Sequence, residues 1–164
     1  MEEPAKPKRE STTEMNELVL PSDANTLGTA FGGKVMQWID VCAGMAAIRH
    51  ARKPMVTASM DELHFHAPIR IGELACLRAH VNATFAHSLE VGVEVHSENA
   101  LTGERRHCCS ALLTFTAITA EGRPDSVPPL LLESQVDRDE QEAASARRQE
   151  RLAHRRRSRP GIGR

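Results

Sequence analysis

Residues 21–40, Pro21-Ser-Asp-Ala-Asn-Thr-Leu-Gly-Thr-Ala-Phe-Gly-Gly-Lys-Val-Met-Gln-Trp-Ile-Asp40, decide how the rest of the chain is read. A polar, glycine-bearing loop runs without interruption into Lys34 to Ile48, a segment apolar on nearly every side. A helix with such a surface is expected to be surrounded by protein rather than to lie on the outside. It carries one carboxylate, Asp40, which is therefore expected in poor solvent. A buried carboxylate is costly unless it is paired or hydrogen-bonded, and such an environment is also what makes a carboxylate useful in catalysis. Arg49, His50, Arg52 and Lys53 suit the negative end of the helix dipole, and Pro54 stops the helix.

After Pro54 the period changes from helical to two. Ala75, Leu77, Ala79, Val81, Ala83 and Phe85 alternate with more polar neighbours, and so do Leu89, Val91, Val93 and Val95. Each pattern predicts a strand with one buried face, and the short link of residues 86–88 predicts a hairpin. Further strands are expected over 55–67, ending before Pro68, and over 105–118, after the turn residues Asn99 to Gly103. Met15 to Leu20 fits a short edge strand closed by Pro21. One long helix followed by strands in meander order predicts an α+β fold, an antiparallel sheet wrapped around one central helix. One helix is a small cover for such a sheet, so pairing of sheets into a dimer is expected. Residues 1–14 are polar and proline-bearing and are expected to be a disordered arm, with the domain over 15–132. Residues 133–164 form a charged tail in which 136–157 favour a polar helix. Arg147, Arg151 and Arg155 share one face of it at four-residue spacing, a repulsion that an anionic ligand would relieve.

The 164 residues suit one domain with its own core. A net charge of −1 and an aromatic content of 3%, with no tyrosine, argue against a nucleic-acid partner. The four cysteines, Cys42, Cys76, Cys108 and Cys109, lie in apolar or alternating segments and predict reduced packing residues in a cytoplasmic protein. The first ten residues have no apolar stretch of a secretory leader, and no apolar run is long enough to span a bilayer. His64 and His66 share a strand face, but Cys108 and Cys109, as strand neighbours, are expected to point to opposite faces, so no metal site is predicted. Ser88 and Ser110 lack the surroundings of a serine nucleophile.

Taken together, Asp23-Ala-Asn25 with Gly28, Phe31-Gly32-Gly33, Trp38-Ile39-Asp40, Val56-Thr-Ala-Ser-Met-Asp61, Phe65 with Pro68-Ile69, Gly72 and Ser88-Leu89-Glu90-Val91 resemble the hotdog-fold acyl-CoA hydrolases, over roughly residues 14–155. The resemblance implies a hotdog domain, active sites shared between two subunits, a trimer of such dimers (a homohexamer), and hydrolysis of fatty acyl-CoA without a cofactor. It makes Asp40 the catalytic carboxylate, completed by Asn25 from the partner subunit. It assigns coenzyme A contacts to Ser59, Met60 and Asp61, to Ser88, Leu89 and Glu90, and to an arginine of the C-terminal helix, Arg151 first and Arg148 second. Glu73 and His87 depart from the family's usual Asp and Thr.

Elementary chemistry leads to the same residues. Thioester hydrolysis needs an activated water or a carboxylate nucleophile, and donors for the oxyanion that develops on the carbonyl. Gly32 and Gly33 stand at a helix start, where backbone N–H groups are unpaired and glycine permits close approach. Gly33 and Asp40 are separated by about two helical turns, roughly 10 Å, too far to serve one carbonyl. A helix start from one chain meeting Asp40 of another removes the difficulty. Two other functions compete: a non-catalytic acyl-CoA sensor on the same fold, and a hotdog dehydratase, which needs a loop histidine where Gly28 stands.

Overall fold

The computed structural model describes residues 3–157. In chain order its elements are β1 (Lys6–Pro7), β2 (Thr13–Leu18), α1 (Gly32–Ala51), β3 (Met55–Phe65), β4 (Leu74–Thr84), β5 (Ser88–Glu98), β6 (Arg105–Ala117), β7 (Leu130–Leu131) and α2 (Gln135–Arg157). Single 3-10 turns cover Lys8–Glu10 and Pro21–Asp23. Five strands form one antiparallel sheet in the order β2-β4-β5-β6-β3, and β1 pairs in parallel with β7. The sheet curls around α1, the hotdog architecture that the resemblance implies.

The helix lies where the loop chemistry starts it. Phe31 is the N-cap, and Lys34 and Val35 donate to its carbonyl. At the other end Arg52 adopts the left-handed conformation (φ 54°) and donates to the Ile48 carbonyl at 2.7 Å, and Pro54 prevents continuation. One side of α1, with Ile39, Cys42, Ala43, Ala46 and Ala47 fully buried, packs on the inward residues of β4, β5 and β6, among them Leu77, Val91, Val93 and Leu113. Alanines on this side let helix and sheet approach closely. The opposite side was expected to be enclosed as well, yet Val41, Met45 and Ile48 are 49%, 36% and 48% exposed. A five-stranded sheet wraps only part of a helix's circumference, so one protomer leaves an apolar stripe uncovered.

The strands form close to where alternation predicts them, but the meander does not. β3 lies beyond β6 at the sheet edge, with Met55 opposite Ala117 and Phe65 opposite Cys109. The connection from β3 to β4 crosses the fold and is tied to the loop before α1, since Ala30 donates to Ile69 O and Ile71 to Gly28 O. β3 is also irregular, with register shifts at Thr57/Ser59 and Asp61/His64 and a left-handed Glu62 (φ 51°).

The expected disordered arm is ordered from Glu3 onward, and only residues 1–2 of it lie outside the described residues. Lys6 pairs with Leu130 and Pro7 with Leu131, and the Lys6 ammonium donates to the His50 carbonyl at 2.7 Å. His50 itself is fully buried, its Nε2 2.9 Å from Pro128 O, and burial pushes its pKa down. The predicted polar helix is α2, which packs on β4 through the fully buried Ala144 and through Gln141, whose Oε1 accepts from Thr84 N–H. Residues 158–164 of the expected tail lie outside the described residues.

Candidate active site

Asn25 is the organiser of the loop ahead of α1. Its Oδ1 accepts from the backbone of Leu27 (2.9 Å) and Thr29 (3.3 Å), while Nδ2 donates to Thr29 Oγ1 (3.0 Å). Gly28 makes the turn possible at φ 75°, a conformation that disfavours a side chain. Phe31 N–H donates to Asp23 O, and Lys34 bridges Asp23 at 3.3 Å, which holds the loop against the helix start. Gly32 and Gly33 follow as the first two helical residues, both exposed, with the N–H groups of a first turn that no helical carbonyl can reach.

Gly32 opens on a cleft of about 290 Å³ between α1, the end of β3 and β6, whose walls include Val35, Phe65, Ile69, Cys108 and Cys109. The two cysteines were expected on opposite faces of β6, yet both are completely buried. The register shifts between Val95 and His96, so an extra residue is accommodated in β6 and Cys108 turns inward beside Cys109. Burial pushes the Cys109 thiol up to about 11, so it is a neutral, apolar wall at physiological pH.

Asp40 lies two turns further along α1 and outside this cleft. It is half-buried, and the Thr57 hydroxyl of β3 donates to its Oδ1 at 2.7 Å. Among the described residues no cation pairs with Asp40, and its second oxygen has no hydrogen-bond donor. One protomer therefore does not bring the helix-start amides and the carboxylate into one cavity. Thr57 was not singled out by sequence, because a threonine in a strand is ordinary.

The expected coenzyme A residues divide. Glu90 is fully buried and held by Arg147, with Nη2 to Oε1 at 2.6 Å and Nε to Oε2 at 3.1 Å. Arg151 donates to Asp61 Oδ2 at 2.7 Å, and Ser59 Oγ lies 3.4 Å from the same oxygen. The arginine face of α2 thus meets its anions in the protein's own carboxylates, which clamp the helix on β3 and β5. Met60 and Asp61 line a space of about 380 Å³ with Glu62, Glu150 and these two arginines. Leu89 is wholly buried, which leaves only its backbone for a ligand, and Ser88 is half-buried at the start of β5. Arg148 differs: its guanidinium stacks on Phe85 at 4.9 Å and has no carboxylate partner among the described residues. Arg147, the better-anchored arginine, was missed as a clamp because alternation shows that Glu90 faces outward but not that α2 covers it.

His64 and His66 have further neighbours. His66 is 5.4 Å from His107, and His107 is 5.2 Å from His96, ring centre to ring centre. Among the described residues no three His, Cys, Asp or Glu side chains converge as metal ligands. Glu73, one departure from the family pattern, binds Arg106 through both oxygens, and His87, the other, meets Asp125 O at 3.0 Å.

The thioesterase superfamily model matches residues 27–104. The uncharacterized acyl-CoA thioester hydrolase YkhA of Bacillus subtilis is 39% identical over 129 residues, which are 79% of this chain and 75% of that protein. The chain belongs to the acyl-CoA thioester hydrolases of the thioesterase superfamily. Among other relatives, mouse acetyl-coenzyme A thioesterase is 34% identical over 85% of this chain, but the chain spans only 25% of its length. A hexameric acyl-CoA thioesterase solved without ligand is 38% identical and superposes with a TM-score of 0.86, covering 92% of this chain and 97% of that one. An acyl-CoA hydrolase of Staphylococcus aureus, solved with butyryl coenzyme A, coenzyme A and coenzyme A disulfide, is 34% identical with a TM-score of 0.85 over 94% of each chain. Variants of that hydrolase with alanine in place of an aspartate, an asparagine and a threonine have also been solved. Those three residues are spaced along its chain as Asp40, Asn25 and Thr57 are spaced here.

Proposed function

We propose that this chain hydrolyses fatty acyl-CoA to the free fatty acid and coenzyme A at a site shared by two copies. The observation that carries the reading is the division of the machinery within one protomer: Gly32 opens on the cleft, and Asp40 stands with Thr57 outside it. Two copies whose helix starts and Asp40 residues face each other reunite the halves twice over. The uncovered stripe of Val41, Met45 and Ile48 favours such pairing. The likeness to a hexameric thioesterase supports assembly of three dimers.

In this reading the Gly32 and Gly33 amides hold the thioester carbonyl oxygen. Asp40 of the facing copy takes a proton from water while the water oxygen bonds to the carbonyl carbon, or attacks that carbon itself. The tetrahedral oxyanion is stabilised by the amides, and the C–S bond then breaks with the electron pair leaving on the coenzyme A sulfur. The general-base route returns the proton to that thiolate; the nucleophilic route needs water to open an acyl-aspartyl anhydride. No step calls for a metal or organic cofactor. Asn25, with its second amide hydrogen uncommitted, steadies the attacking water from the glycine side.

Coenzyme A lies along β3 and β5, meeting Ser59, Met60, Asp61, Ser88 and the Leu89 backbone. Its phosphates meet Arg148, the α2 arginine that Phe85 orients and no carboxylate among the described residues neutralises; Arg151 serves only if Asp61 releases it. The reading places the enzyme in the cytoplasm, and none of the described helices is long and apolar enough to cross a membrane. Release of free thiol from a panel of acyl-CoAs tests it. Wild-type protein should turn over and Asp40→Asn should lose at least about a hundredfold, the span of a general base. Undiminished turnover by the variant would falsify the role of Asp40, and no turnover by wild type would leave an acyl-CoA-binding regulator on the same fold.

A further inference from the structure

The cleft under the start of α1 has a polar mouth and an apolar interior. Gly32 contributes the exposed helix-start backbone, and behind it Val35, Ile69, Cys108 and Cys109 are all at least nine-tenths buried. Phe65, half in solvent, forms one lip, and its ring already lies 3.7 Å from where a side chain at position 32 would begin. The inward turn of Cys108 at the bulge brings two small side chains, rather than one, to the wall formed by β6. A larger residue at either position would occupy the space.

From this arrangement we infer that the cleft seats the acyl chain and limits it to medium length. The inference rests on the thioesterase reading, because it is the carbonyl at Gly32 that points the chain inward. An apolar cavity of about 150 Å³ accepts one benzene ring, so a half-open cleft of about 290 Å³ has room for roughly ten carbons. Shorter chains leave apolar wall in contact with water, and longer ones must bend out past Phe65. Each methylene that enters should raise affinity by roughly fourfold until the space is filled.

S-alkyl coenzyme A thioethers of increasing chain length, which bind but cannot be hydrolysed, test the cleft apart from the chemistry. Calorimetric affinity should climb stepwise with chain length, level off near ten carbons, and be followed by kcat/KM for the matching thioesters. Phe65→Ala, at the lip, should move the plateau to longer chains. Ala67→Leu, which fills part of the same space, should move it to shorter ones, with circular dichroism confirming that each variant is folded. An affinity series flat from the shortest chain, or one rising without a break to the longest, overturns the inference, as does a plateau that neither substitution moves. A stepped thioether series without any thioester turnover would leave the cleft in place and remove the hydrolase reading. Turnover with no dependence on chain length would do the reverse.

Discussion

Thr57 Oγ1 donates to Asp40 Oδ1 across 2.7 Å, joining the middle of the central helix to the bulged edge strand. A carboxylate held through one oxygen presents the other in a defined direction, and that direction matters in proton abstraction. Thr57→Ala should therefore lower kcat about tenfold with little change in KM, and Thr57→Ser should recover most of the loss. Steady-state kinetics on the three proteins decides this. A rise in KM alone would make Thr57 a binding residue instead.

Glu90 and Arg147 form the second anchor. With Glu90 wholly out of solvent, removing its partner strands a charge, which typically costs about 3–5 kcal/mol. Arg147→Ala should lower the denaturant midpoint accordingly, and Glu90→Leu combined with Arg147→Met should recover much of the stability because no buried charge remains. Equal destabilisation of the single and double variants would show that the arginine stem, rather than the charge pair, holds α2.

Arg148 should behave differently from both. Its guanidinium has an aromatic platform and, among the described residues, no acid, so Arg148→Ala should leave thermal stability nearly unchanged. KM for acyl-CoA should rise severalfold while kcat is kept, the pattern expected when a remote phosphate contact is lost. Arg151→Ala, which frees Asp61 beside the same ligand path, should affect stability more than KM.

His50 sets an acid limit on stability. Burial is the largest cause of its lowered pKa and outweighs the hydrogen bond to Pro128 O, which acts the other way, so the neutral ring is the form the core favours. The unfolded chain, with histidine near 6.5, therefore binds the proton more readily than the folded one. The stabilisation is complete above pH 6.5 and is lost as pH falls through the folded value. The melting temperature should drop on going from pH 7.5 to 5.5, and His50→Gln should flatten that part of the profile. His80, also lowered by burial, adds a slope of the same sign that the His50 variant retains.

Periodicity was a good guide wherever a residue's neighbours in sequence decide its surroundings. The apolar helix of Val35 to Ala47 and the alternation of β4 and β5 state which faces are inward, and the structure places them so. Alternation says nothing about which strand lies next to which, so β3 moving past β6 was not legible. Neither was the pairing of Lys6 with Leu130, which has no local signature at either end. The bulge that turns Cys108 inward breaks the very alternation used to read β6. At the site, glycine, aspartate and asparagine stand out by type and position, whereas Thr57 and Arg147 acquire their roles only from what the fold sets opposite them.

The β1–β7 pairing has a consequence for synthesis. Every strand of the main sheet has left the ribosome well before Leu130 does, so a nascent chain can assemble its hotdog body while Lys6 and Pro7 still lack their partner. The foot of α1, where Lys6 meets the His50 carbonyl, is latched only when β7 emerges, and the α2 clamps on Glu90 and Asp61 close later still. A premature stop codon just ahead of β7 would remove this hem and α2 together, and leave Glu90 without Arg147.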